Sequence, residues 1–322
     1  MILKLYKSNQ TVVLMALPLI MMCFWGHGFF IKHTELIDYS QSSDLFKYLV
    51  IDNWLLNKLV AFAIILISGI LLNNVINTNE IFERITYLPA LLYVIVLSSI
   101  APLHQMHPLI VSNLFWILAY RRLLNVYNQL PCKSEIFDAS LLVMLGSLFY
   151  FPTSLVLLLL PWMTLIIFRP FDIKEYLMPV LALALLSLYL VVYHIFNPEF
   201  IADLSLFSVY QGFDIVANPC LYALYAMLIV VLYLSGYFLV KKSNTSSIRF
   251  RKITSQIFSF LMVALIGMLY EKFLNNNDAF LLLGSVPISV VCSFYFFYNK
   301  RLKLSGVLFY GSIILLIVNI YV

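Results

Sequence analysis

The sequence predicts an all-α fold: a polytopic transmembrane helical bundle of about 11 spans, N-terminus cytoplasmic, forming a single integral membrane domain over 1–322. Three observations predict it. Apolar residues make up 63% of the chain and charged ones 11%, whereas an ordinary soluble domain carries about 25% charge; the mean hydropathy is +0.96. Apolar runs approach the roughly 20 residues that a helix needs to cross about 30 Å of hydrocarbon, and strand-type alternation is missing. Finally, a cytoplasmic N-terminus places 16 of the 20 Lys and Arg residues on the inner side, leaving only Lys32, Lys47, Lys58 and Lys272 outside. Basic residues retained on one side are the expected mark of the cytoplasmic face.

The first run, 11–31, follows Lys4 and Lys7 in the manner of a signal peptide. No A-x-A-like site follows it, so it reads as an uncleaved first span. The second run is 56–75. Runs 87–102 and 106–120 form a hairpin around I-A-P-L-H-Q-M-H-P and end in A-Y-R-R. Runs 138–151 and 153–168 are each about 15 residues, or about 22 Å of helix, which is short for a crossing. They read as thin, tilted or re-entrant. Runs 176–195, 218–240, 254–271, 279–298 and 304–322 complete the set. The outer loops 32–55 and 196–217 mix aromatic residues with charges, a composition suited to helices lying at the interface. The inner loop 241–252, K-K-S-N-T-S-S-I-R-F-R-K, reads as a topogenic segment facing lipid headgroups.

The net charge of +5 sits in short inner loops and points to the lipid bilayer rather than to nucleic acid. Cys23, Cys132, Cys220 and Cys292 are scattered and read as small apolar fillers. Nine of the 15 acidic residues, and all five histidines, fall in or near the outer half. Charge tolerated in loops would give the same distribution as a titratable site on that face. His104 and His107, spaced i, i+3, would suit a metal if a carboxylate joined them. No third ligand stands beside them in sequence, the flanking prolines equally suit a rigid turn, and a divalent metal is not expected. P-loop, HExxH, GxSxG and GxGxxG motifs are missing. Charges inside the spans are almost absent, which argues against an ion-coupled carrier.

The series Y-R-R (Tyr120 to Arg122), M-L-G-S-L-F-Y-F-P-T (Met144 to Thr153) and I-F-R-P (Ile167 to Pro170) resembles the central spans of GT-C superfamily membrane glycosyltransferases. It also resembles a functionally unassigned family of bacterial inner-membrane proteins of similar length. The GT-C resemblance covers 1–200, leaving 218–322 as a C-terminal helical bundle. It implies transfer of a sugar from a polyprenyl-phosphate carrier at the outer leaflet of the inner membrane. By that resemblance Asp38, in I-D-Y, is the candidate catalytic carboxylate, with Glu35 and Asp44 as rivals. A carboxylate suits the role because it can take the proton of an acceptor hydroxyl. Lys32, His33, Lys58, His104, His107 and Lys272 are candidates for holding the lipid phosphate through charge-assisted hydrogen bonds. The first loop departs from the superfamily in lacking a D-D or E-x-D pair, and the outer face carries no Arg. The second reading is therefore a non-catalytic membrane component of an envelope assembly or secretion complex, binding other membrane proteins through its outer loops. A small-solute transporter is the third.

Overall fold

The computed structural model describes residues 2–8, 10–30, 46, 49, 51, 53–99, 104–127, 131–150, 153–196, 219–274, 283–299 and 302–321. Among these residues there are 11 helices of ten residues or more and no strands. They are α1 (Leu17–Phe30), α2 (Trp54–Thr78), α3 (Leu88–Leu97), α4 (Pro108–Asn125), α5 (Lys133–Phe149), α6 (Leu159–Phe168), α7 (Met178–Phe196), α8 (Pro219–Asn244), α9 (Ile248–Leu274), α10 (Ser285–Tyr298) and α11 (Leu302–Tyr321). Each falls on one of the expected apolar runs. Five segments are long and apolar enough to cross a membrane: Trp54–Thr78, Ile173–Phe196, Pro219–Asn244, Ile248–Tyr270 and Lys303–Ile320. The chain is a multi-pass helical bundle. The interfacial helices expected in 32–55 and 196–217 lie, but for residues 46, 49, 51, 53–55 and 196, outside the described residues.

Two short helices form the centre. All ten residues of α3 are buried, and α10 is buried from Ser285 to Phe296. They pack on each other, flanked by α2 and α8, while α4 packs on α5 and α9 covers α6. The edge helix α7 packs mainly on α5 and buries only Pro179, Ala182 and Leu186. Its other faces are Leu, Val and Tyr, which lipid tolerates as well as protein does.

The boundaries differ from expectation in three places, each for a physical reason. The run 87–102 makes a helix only over Leu88–Leu97, about 15 Å long and half the hydrocarbon thickness. The hydroxyl of Ser99 turns back to donate to Val96 O at 2.7 Å, and Pro102, just beyond, has no N–H to continue the ladder. Where the described residues resume, His104, Gln105, Met106 and His107 are all buried. By contrast, α5 begins five residues earlier than expected. Glu135 in its first turn meets the Arg122 guanidinium at 3.4 Å, and Asp138 meets it at 3.6 Å, so acids lie where the helix dipole favours them. Likewise α9 begins at Ile248, leaving only 245–247 as the turn after α8.

α4 approaches α5 closely at Gly146. A Cβ there would stand 2.9 Å from Trp116 Nε1 and 3.3 Å from Phe115 Cβ. The Ser112 hydroxyl donates to Gly146 O across the same contact at 2.8 Å. Small residues that bring backbones together are how helices associate in lipid, where hydrophobicity alone gives no preference for protein over acyl chain. Buried polar pairs join other helices: Asn113 Nδ2 donates to Ser285 Oγ at 3.1 Å, and Gln256 Nε2 to Thr164 Oγ1 at 3.3 Å.

The polar contacts sort the connecting segments into two ends. At one, Tyr87 N and Thr86 Oγ1 donate to Tyr6 O at 3.0 and 3.1 Å. There too Lys242 pairs with Glu83, Arg249 with Glu80 at 3.8 Å, and Arg169 Nη2 donates to Val126 O at 3.2 Å. Lys252 Nζ donates to Phe168 O at 3.2 Å. These are the segments that the distribution of Lys and Arg grouped on one side. They make a basic end; the other end holds Gly28, Lys58, Ser98, Ser99, His104 to His107 and Ser285.

Cys132 is not an apolar filler. It is buried at the basic end, where its N–H donates to Glu175 Oε1 at 3.4 Å. Burial, then the Glu175 carboxylate, push its thiol up to about 11 from an ordinary 9.0, with Arg169 opposing. A thiol whose folded value is raised stabilises the fold fully below its unfolded value, and that contribution is lost as pH rises towards the folded one. Stability is therefore expected to fall between about pH 9 and 11, by at most about 1.4 kcal/mol per pH unit from this group. The thermal midpoint in detergent should fall less steeply over that window in Cys132→Ser than in the wild type.

Candidate functional site

The candidate site lies at the end opposite the basic one, where several helix termini converge. A helix leaves its last four carbonyls without intrahelical partners. In α1 one of these is Gly28 O, and the Lys58 ammonium, reaching across from the second turn of α2, donates to it. Lys58 is 8% exposed and stands 5.2 Å from the centre of the Trp54 ring. A cation near the N-terminus of its own helix opposes that dipole, but at the C-terminus of α1 it is favoured. Asn53 caps α2, its side chain accepting from Leu55 N and Leu56 N at 3.1 and 3.4 Å.

His104 does for α3 what Lys58 does for α1. Its Nε2 lies 3.1 Å from Ser98 O; a carbonyl only accepts, so Nε2 carries the proton. The imidazole stacks on Trp25 with centroids 4.6 Å apart and planes 13° from parallel. Trp25 Nε1 in turn donates to Ser98 Oγ at 3.0 Å. From the last helix, Asn319 Nδ2 donates to Ser99 O at 2.9 Å. His107 is the N-cap of α4: its Nδ1 accepts from Leu109 N at 3.1 Å, so that nitrogen bears no proton. Its ring lies 6.2 Å from that of Tyr150.

Of the residues expected to hold substrate, Lys58 and His104 are brought together around Gly28. A Cβ placed on that glycine would lie 3.6 Å from Lys58 Nζ and 4.0 Å from His104 Cβ. His107 follows three residues on. Lys272 is in the last turn of α9, with its side chain outside the described residues. Glu35, Asp38, Asp44, Lys32 and His33 all lie outside the described residues. Among the described residues no three His, Cys, Asp or Glu side chains are grouped to hold a metal ion.

Sequence reasoning missed the supporting partners Trp25, Ser98 and Asn319. The available signals were a tryptophan in an otherwise apolar run and a single amide in the last one. A polar side chain placed in lipid-depth sequence needs a partner from another helix.

Chemically, the site offers an ammonium with donors beyond the one given to Gly28 O, held beside the His104 ring, whose own N–H is given to Ser98 O. Both are buried, and there a charge-assisted hydrogen bond to an anionic oxygen is stronger than in water. Comparison with family models, curated proteins and solved structures returned no match for this chain.

Proposed function

We propose that the chain is an inner-membrane protein of a bacterium, N-terminus cytoplasmic, that transfers a sugar from a polyprenyl-phosphate carrier at the outer leaflet. One observation supports this reading above others. The loop carrying Glu35, Asp38 and Asp44 leaves α1 just after Phe30 and returns at α2, so both its ends are fixed beside the contact between Lys58 and Gly28. Those three carboxylates lie outside the described residues; the buried Lys58 ammonium, where the loop returns, is the described group that such a transfer would use.

In the reaction, the acceptor hydroxyl oxygen forms a bond to the sugar's anomeric carbon while the bond to the carrier's phosphate oxygen breaks. The phosphate keeps the electron pair, and Asp38 takes the hydroxyl proton. Lys58 Nζ offers donors to the departing phosphate. The test is release of polyprenyl phosphate from a polyprenyl-phosphate-linked sugar by the protein in nanodiscs. Turnover is expected in the wild type, with Lys58→Gln raising KM for the carrier about tenfold, the equivalent of losing one charge-assisted hydrogen bond. A wild-type protein that neither binds nor cleaves such a carrier overturns the reading.

The second reading, a non-catalytic component of an envelope assembly, is favoured by the edge of the bundle. Only 17% of the Ile173–Phe196 span is buried within the chain, which leaves two faces of α7 for a neighbouring membrane protein. Co-purification of a stoichiometric membrane partner, without carrier lipid, would support it over the first.

A further inference from the structure

We propose that the basic end docks the headgroups of anionic phospholipids, chiefly through Arg84, Lys241 and Arg251. The cations there divide into two classes. Lys242, Arg249 and Lys252 hold the bundle together, on Glu83, Glu80 and Phe168 O respectively. Arg84, Lys241 and Arg251 are exposed. They nevertheless stand together: Arg84 adjoins Glu83, which Lys242 grips, while Lys241 and Arg251 flank the turn at 245–247.

Two features point outward to an anion in a bilayer. The first turns of α9 carry Arg249, Arg251 and Lys252, and no acidic residue lies in the opening turn. That is the positive end of the helix dipole; Glu80 answers Arg249, but the opening turn itself holds no acid, so a further negative group is favoured beside Arg251. The exposed cations are also interleaved with exposed apolar side chains. Ile85 follows Arg84, Tyr237 lies one turn from Lys241, and Ile248, 70% exposed, precedes Arg251 by three residues. A water-facing surface has no use for this alternation. The boundary between headgroups and acyl chains does, because the stem can bury while the charge reaches the phosphate. The occupant is therefore a phospholipid of the surrounding bilayer.

The docking is independent of any sugar transfer at the opposite end. Native mass spectrometry of the detergent-solubilised protein, titrated with phosphatidylglycerol or phosphatidylcholine, tests it. Phosphatidylglycerol is expected to be retained over phosphatidylcholine by about fivefold for each exposed cation engaged, the equivalent of about 1 kcal/mol each. The triple variant Arg84→Gln, Lys241→Gln, Arg251→Gln should lose most of that preference, and the charge-preserving pair Lys241→Arg, Arg251→Lys should keep it. Equal retention of the two lipids by the wild type, or undiminished preference in the triple variant, overturns the proposal. Displacement of phosphatidylglycerol by millimolar inorganic phosphate overturns it too, because the source would then be a soluble anion.

Discussion

Gly146→Ala is expected to destabilise the bundle by about 1–3 kcal/mol, the usual penalty for forcing atoms into a filled interior. The new methyl group would meet Trp116 Nε1 at 2.9 Å and Cδ1 at 3.2 Å. Trp116 is 1% exposed, so the indole has nowhere to swing. Relief would have to come from separating α4 and α5, and that stretches the bond from Ser112 Oγ to Gly146 O. The thermal midpoint in nanodiscs should drop accordingly. Trp116→Phe removes the indole edge that clashes, so the double variant should be more stable than the sum of the single changes by at least about 0.5 kcal/mol. Strict additivity would mean that the two side chains do not meet, and would remove Gly146 as a tight contact between α4 and α5.

Asp38→Asn is expected to lower turnover of a polyprenyl-phosphate-linked sugar by about 10²–10⁴-fold, the usual contribution of a positioned proton acceptor. An amide keeps the shape of the carboxylate but cannot take the proton. KM for the carrier should move little, because the carrier's phosphate is assigned to Lys58. Asp38→Glu should recover part of the rate. Undiminished turnover in Asp38→Asn would pass the role to Glu35 or Asp44, whose amide variants would then carry the loss. If Lys58→Gln alone slowed the reaction, the site would bind the carrier without contributing a base.

The order of the helices among the described residues was legible because long apolar runs admit few structures in lipid. Sidedness of the segments was legible too: residues from Tyr6, Glu83, Val126, Arg169 and Lys242 reach one another at one end, as the placement of Lys and Arg implied. Helix ends were less so. Hydropathy stops at the first charge, but hydrogen bonding does not. The stretch Lys133 to Phe137 and the stretch Ile248 to Ile253 are helical because Arg122 receives Glu135, and because Lys252 finds Phe168 O. The roles of Lys58 and His104 as caps on the ends of α1 and α3 were not legible. Each depends on a carbonyl 30 residues away for Lys58, or on a turn closed six residues upstream for His104, and neither pairing leaves a local pattern. Gly146 was visible as a glycine within the resembling motif; its contact with Trp116 was not.

The ten-residue length of α3 bears on how the protein is made. A segment that short is a poor substrate for lateral release from the insertion channel, since it cannot cover the hydrocarbon on its own. It leaves the ribosome long before α10, its main packing neighbour, and before Asn319, which closes the Ser98–Ser99 turn. Until the last quarter of the chain has been synthesised, the hairpin must be chaperoned by α2 and α4. Nascent chains arrested ahead of Ser285 should therefore remain sensitive to membrane quality-control proteolysis, and those arrested beyond Asn319 should resist it.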